Sequence, residues 1–232
     1  LLDYIPRAGN QATGEIFLDK RQPEDETQYF FRADLVGARN QIAGRIFDSR
    51  YTRETVPGIR GDLYRGMPGY DFAYSSSSFG LNSVLSGTRA NFLSVAYQRN
   101  RTRVTGASPI GMNDLNPKVA GIREINVTFG GGLSGTSFLG RDRLLTRSSW
   151  QLADSFRWIR GRSDLAIGGD LLKARLLHES VFRQAGFYTF AGPRDFVEGN
   201  LTQFVQGGGE YTDKTYWSRS LFINESLRIS RR

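Results

Sequence analysis

The stretch Ser148-Ser-Trp-Gln-Leu-Ala-Asp-Ser-Phe-Arg-Trp-Ile159, followed by Arg160-Gly-Arg-Ser163, decides the fold. Read with a period of two, it sets Trp150, Leu152, Phe156 and Trp158 on one side and Gln151, Ala153, Ser155 and Arg157 on the other. A helical period of 3.6 would scatter both sets around an axis, so the stretch reads as a strand with one apolar and one polar face. The Gly-containing turn returns the chain into a second strand from Asp164 to Leu177, and the two make a β-hairpin.

The same pattern recurs outward from this hairpin. Gln28 to Val36 places Tyr29, Phe31, Ala33 and Leu35 opposite Arg32 and Asp34, and Gly37-Ala-Arg-Asn40 turns it back into Gln41 to Tyr51. Phe79 to Leu85 passes through Ser86-Gly-Thr-Arg89 into Ala90 to Val104, where Leu93, Val95 and Tyr97 alternate with Phe92, Ser94, Ala96 and Gln98. A last strand, about 214 to 229, sets Trp217, Leu221, Ile223 and Leu227 against Ser218, Ser220, Asn224 and Ser226. Predicted hairpins thus cover 28–51, 79–104 and 147–177, with residues 1–27 loop-like.

The connections alternate in length. Short turns join the strands within each hairpin, while Thr52 to Ser78, Thr105 to Arg147 and His178 to Lys214 are long and rich in Gly, Pro, Ser, Asp and Tyr. In compact soluble domains, loops beyond about 12–15 residues are uncommon. A transmembrane β-barrel has this plan: short periplasmic turns, long extracellular loops, apolar side chains towards lipid and polar ones towards the lumen. The fold class read from the sequence is therefore all-β, an antiparallel transmembrane β-barrel segment, occupying residues 1–232 as one partial barrel domain. Tyr29, Tyr51, Tyr97, Trp150, Trp158 and Trp217 are the candidates for the aromatic girdles at the two membrane interfaces.

Composition narrows the function classes. The 232 residues include no Cys and one His, His178, which removes thiolate metal sites and leaves little for a zinc or Ser-His-Asp centre. The chain reads as a non-enzyme with no cofactor. A run of eighteen apolar residues is absent, which bears on helices and not on spanning strands. The net charge of +8 comes from arginines spread over turns and loops. Nucleic-acid binders gather such residues on one face with stacking aromatics, so the dispersion points to lipid headgroups and lipopolysaccharide phosphates instead.

Ile125-Asn-Val-Thr-Phe-Gly-Gly-Gly-Leu-Ser-Gly135 contains a literal G-x-G-x-x-G. The dinucleotide fingerprint requires a helix opening at the third glycine inside a βαβ unit. Here Gly140 falls within the first turns of that would-be helix, and Asp154, at the right distance for the ribose acid, sits in a period-two strand. The stretch reads as a strand entering a turning extracellular loop.

The order of segments Phe31-Arg-Ala-Asp34, Asn40-Gln-Ile-Ala-Gly-Arg-Ile-Phe47, Ala96-Tyr-Gln-Arg-Asn100, Ile125-Asn-Val127, Trp150-Gln-Leu-Ala-Asp154, Arg160-Gly-Arg162 and Ala166-Ile-Gly-Gly-Asp170 resembles the barrel of TonB-dependent receptors, in particular the Oar-like branch. Where that family often has His after Arg-Gly-Arg, Ser163 stands here. The resemblance runs from about Gln28 to Arg232 and implies a central slice of a larger barrel, without the plug domain and TonB box. It further implies energised uptake of an extracellular ligand, with TonB acting through the plug. Arg60, Tyr64, Arg65, Tyr70, Phe72 and Tyr74, expected in an extracellular loop, are the candidate ligand-binding residues, since Arg and aromatic side chains suit carbohydrate, peptide or chelate recognition. A surface adhesion or structural β protein, and a passive porin, fit the same alternation.

Overall fold

The computed structural model describes residues 21–59, 66–107, 142–184 and 186–229, together with the backbone of 126–129. Its frame is one sheet of seven strands: β1 (Glu24–Val36), β2 (Asn40–Arg53), β3 (Gly69–Ser86), β4 (Arg89–Thr105), β6 (Arg143–Arg160), β7 (Ser163–Ser180) and β10 (Glu210–Leu227). Sheet order follows chain order and every neighbouring pair is antiparallel. A smaller sheet holds β5 (Asn126–Phe129), β8 (Phe187–Phe190) and β9 (Leu201–Val205), with a short helix α1 (Pro193–Glu198) between the last two.

The strand bounds differ from the sequence reading at their loop ends. The second hairpin starts at Gly69 rather than near residue 79, so Tyr70, Phe72 and Tyr74 lie in β3 and not in a loop. The third covers 143–180, and the last strand starts at Glu210. β3, β6, β7 and β10 each run for 18 residues. At about 3.3 Å per residue that is roughly 59 Å. Tilted by the usual ~40°, such a strand rises about 45 Å, well beyond the ~25 Å apolar band of an outer-membrane barrel.

The short turns set the register. In Arg160-Gly161-Arg162-Ser163 the first central residue, Gly161, has φ +59°, as a type II′ hairpin turn demands of a glycine. Arg228 N then donates to Arg162 O at 2.9 Å, and Ile159 N to Thr88 O at 2.8 Å, so each turn is stitched to the neighbouring strand. Gly161→Ala is expected to lower the unfolding free energy of the assembled protein by about 1 kcal/mol, read as a lowered urea midpoint in lipid vesicles.

Cross-strand pairs share a face, so the register sorts every side chain in the wall. Phe31, Ile46, Ser77, Tyr97, Trp150, Lys173 and Trp217 form one continuous row. The next two rows towards the short turns are Ala33, Gly44, Phe79, Val95, Leu152, Leu171, Arg219, and then Leu35, Ile42, Leu81, Leu93, Asp154, Gly169, Leu221. This face is apolar and open: Leu221 is 93% exposed, Ile223 76% and Phe31 62%. Among the described residues the only buried apolar side chains are Val104, Ala107, Ala174 and Phe190. A water-soluble fold of this size does not present its hydrophobic side chains outward around so small a core; the medium facing them is lipid.

Candidate functional site: the inner wall and its loop crown

The opposite face is polar and concave, with Ser49, Ala174 and Ser180 buried in its curve. Near the short turns it carries Arg157, whose Nε donates to Asp164 Oδ1 at 2.8 Å, and close to the upper end Gln151, whose Nε2 donates to Asp170 Oδ2 at 2.6 Å. Arg32 Nη2 donates to Asp34 Oδ1 at 3.1 Å on the same face. These pairs hold long side chains against the wall, where a wet interior tolerates them.

Towards the long loops the inner face becomes aromatic. Tyr70, Phe72 and Tyr74 occupy alternate positions of β3 and all point inward. The Arg53 guanidinium lies 5.0 Å from the Tyr70 ring centre, and the Phe47 and Tyr74 rings are 5.9 Å apart. Tyr51, expected in the girdle, pairs with Glu26 and Phe72 and so faces the interior. Its register parity is the reason: an odd position of β2 points inward.

A cavity of about 450 Å³ opens beside Tyr74, lined also by Gln98, Asn100, Arg147, Ala174 and Tyr216. Tyr74, Asn100 and Arg147 stand in one inner row, on β3, β4 and β6. The sequence reading missed Asn100, Arg147 and Tyr216, although their parity relative to Val95, Trp150 and Trp217 already places them on the polar side. Arg60, Tyr64 and Arg65 lie outside the described residues. Of the six predicted residues, the described three are therefore brought together on one strand face, inside the wall.

At the rim a second cavity, about 620 Å³, is lined by Val104, Asp142, Arg143, Ser180, Gln184 and Glu210, among others. Arg143 Nε, in this cavity, and Arg53 Nε, on the same inner row with Tyr70, are buried without a hydrogen-bond partner among the described residues. Outside the rim, Arg175 donates through Nε and Nη2 to both oxygens of Asp213, at 2.9 and 2.7 Å. Asp213 lies beyond the membrane-crossing band, and the hydrogen bonds from Arg175 hold its carboxyl below the ordinary carboxylate range.

The loops above this face are tied together. Val56 and Met67 pair as an isolated bridge, and Gly58 N donates to Ala107 O at 3.1 Å, which fastens the loop after β2 to the chain leaving β4. β5, in the loop after β4, pairs in parallel with β8, in the loop after β7. Phe190 packs edge-on against Phe196 of α1 at 5.1 Å, and Tyr188 lies 4.9 Å from Phe204 of β9. The stretch expected as a plain polar loop from His178 to Lys214 thus contains two strands and a helix. The glycines after Phe129 lie outside the described residues.

Two aromatic levels bound the lipid-facing band. At the upper one, Tyr97 and Trp150 have ring centres 4.6 Å apart and Lys173 Nζ lies 5.2 Å over Trp217. At the lower one, Trp158 is flanked by the guanidinium groups of Arg89 and Arg160 at 5.6 and 5.7 Å. From Trp150 to Trp158 along β6 is roughly 26 Å. Tyr29 sits one outward position above the upper level. No described helix is long and apolar enough to cross a membrane, so the strands carry the crossing.

A lipid-facing apolar belt between aromatic levels, a polar concave interior, short turns at one end and tall loops at the other define a wall of an outer-membrane β-barrel. The family model described as outer membrane beta barrel domain matches residues 1–232, and the chain belongs to that family. No curated protein and no solved structure matches it. The protein resides in the bacterial outer membrane, in contact with its lipid and lipopolysaccharide.

Proposed function

We propose that this wall belongs to a TonB-dependent receptor of the Oar-like type, a non-enzymatic transporter that takes up an extracellular ligand with TonB acting through a plug domain. The observation that carries the reading is the height of the strands. Walls of 18 residues project well above the membrane and end in loops that pair with one another, which suits a binding vestibule better than a simple pore. Arg60, Tyr64, Arg65, Tyr70, Phe72 and Tyr74 are the proposed ligand contacts, with Asn100 and Arg147 beside Tyr74. Aromatic faces and guanidinium groups together suit a sugar, peptide or chelate carrying anionic groups.

Conductance separates this reading from a passive porin. The intact gene product, reconstituted in a planar bilayer in potassium chloride, is expected to stay closed because a plug fills the lumen, and to bind the periplasmic domain of TonB. A steady ohmic conductance without TonB binding would overturn the receptor reading in favour of a porin. A closed barrel that does not bind TonB would favour the adhesion or structural alternative.

A further inference from the structure

The sequence Arg99-Asn-Arg-Thr-Arg103 alternates arginine with polar residues along β4. Arg99, Arg101 and Arg103 share the parity of Val95 and Tyr97 and therefore face outward, towards the membrane environment and away from the lumen. They stand two, four and six residues beyond Tyr97, which with Trp150 marks the top of the apolar belt. Along a tilted strand those offsets amount to heights of roughly 5, 10 and 15 Å above the belt. The headgroup layer of a bilayer occupies about 5–8 Å on each side of the hydrocarbon, so Arg99 stands at phosphate level and Arg101 just above it, within reach of its long side chain.

Their surroundings form a notch. A depression of about 330 Å³ is lined by Arg99, Arg101, Arg50, Asp48, Asp71, Ala73 and Ser75. Ala73 and Ser75 make a floor of small side chains on β3, between cations from β2 and β4. Arg50 leans on Asp48 at 3.6 Å, whereas Arg99 and Arg101 are exposed and make no ion pair among the described residues. Like charges at neighbouring same-face positions repel, and an anion seated between them removes the repulsion. Scattered headgroup contact does not require a small-residue floor with guanidinium groups on both sides; a seated phosphate does.

We propose that this notch is a specific site for a phosphate of lipopolysaccharide, the anionic lipid whose acyl chains would lie on the belt below, over Val95, Tyr97 and Trp150. Arg99 and Arg101 are its principal ligands, with Arg50 at the side and Arg103 reaching the more distal anionic groups. The site is independent of the lumen and of any transported ligand.

The full-length protein tests this by native mass spectrometry after extraction from outer membranes in mild detergent, with heat-modifiable gel mobility confirming that each variant is folded. Loss of both cations in Arg99→Ala/Arg101→Ala is expected to reduce retained lipopolysaccharide roughly tenfold. Arg99→Lys/Arg101→Lys should restore most of it, and Arg45→Ala, which removes a cation from the inner face, should leave it unchanged. Equal retention in wild type and the double alanine variant overturns the site, as does equal loss in Arg45→Ala. Retention of phosphatidylglycerol in place of lipopolysaccharide by the wild type overturns the assignment of the ligand.

Discussion

Leu152→Arg is expected to lower outer-membrane assembly of the full-length protein, while Ala153→Arg, one residue further on, assembles normally. Leu152 stands in the lipid-facing row of Phe79, Val95 and Leu171, one step below the Tyr97–Trp150 level. An arginine within the apolar belt of a barrel costs about 2–4 kcal/mol near the midplane and less towards the interfaces, and Asp154, the next outward residue on β6, already accepts a hydrogen bond from Asn91. Ala153 points inward and pairs directly with Asp170 of β7, so an arginine there meets water and an opposite charge. Heat-modifiable mobility of the membrane fraction reads both outcomes. Normal assembly of Leu152→Arg with failure of Ala153→Arg would reverse the assignment of the two faces, and equal behaviour would remove the membrane from the account.

Polar side chains already stand on the outer face, Asp154 and Arg219 among them. Asp154 lies midway between Trp150 and Trp158 on β6, and Asn91 Nδ2 donates to its Oδ1 at 2.8 Å, so the carboxylate keeps a partner where lipid offers none. Arg219 sits one outward position below Trp217, close enough to the upper interface for its long side chain to reach the headgroups.

The alternation that made the hairpin at Trp150 legible is enforced by lipid on one side and water on the other. Where that contrast holds, the strands and their faces are readable, and the outward sets of β1, β4, β6 and β10 are those the sequence pattern separates. Above the belt the contrast disappears. Asp71, Ala73 and Ser75 face outward and Tyr70, Phe72 and Tyr74 inward, so the strand continues with its polarity reversed, and a reading keyed to apolar-out alternation takes it for a loop. The pairing of β5 with β8 joins short segments of two different loops and leaves no local trace in either. Tyr51 illustrates a third limit: an aromatic near a strand end marks an interface only if its parity is outward. The inner row of Tyr74, Asn100 and Arg147 was recoverable by parity alone, but only after the neighbouring strands had been registered against one another.

Gly168→Val is expected to destabilise the wall strongly. A Cβ at Gly168 would stand 2.6 Å from two atoms of the Phe222 ring and 2.7 Å from the carbonyl oxygen of Asp154. The ring could swing aside; the carbonyl belongs to the β6–β7 ladder and cannot move without breaking pairs in a medium that offers no replacement. Overpacking of this kind costs about 1–3 kcal/mol even in a well-solvated protein, and the strained ladder adds to it here. Gly44→Val provides the contrast. Nothing lies within 4 Å of a Cβ at Gly44, which faces lipid between Ala33 and Phe79, so a valine there adds apolar contact with the acyl chains and favours the strand. Urea unfolding in lipid vesicles should therefore give a markedly lowered midpoint for Gly168→Val and an unchanged or raised one for Gly44→Val. Adding Phe222→Ala to Gly168→Val removes the ring and leaves the carbonyl, so recovery should be partial. Full recovery would show that the ring alone set the constraint, and no recovery that the backbone did.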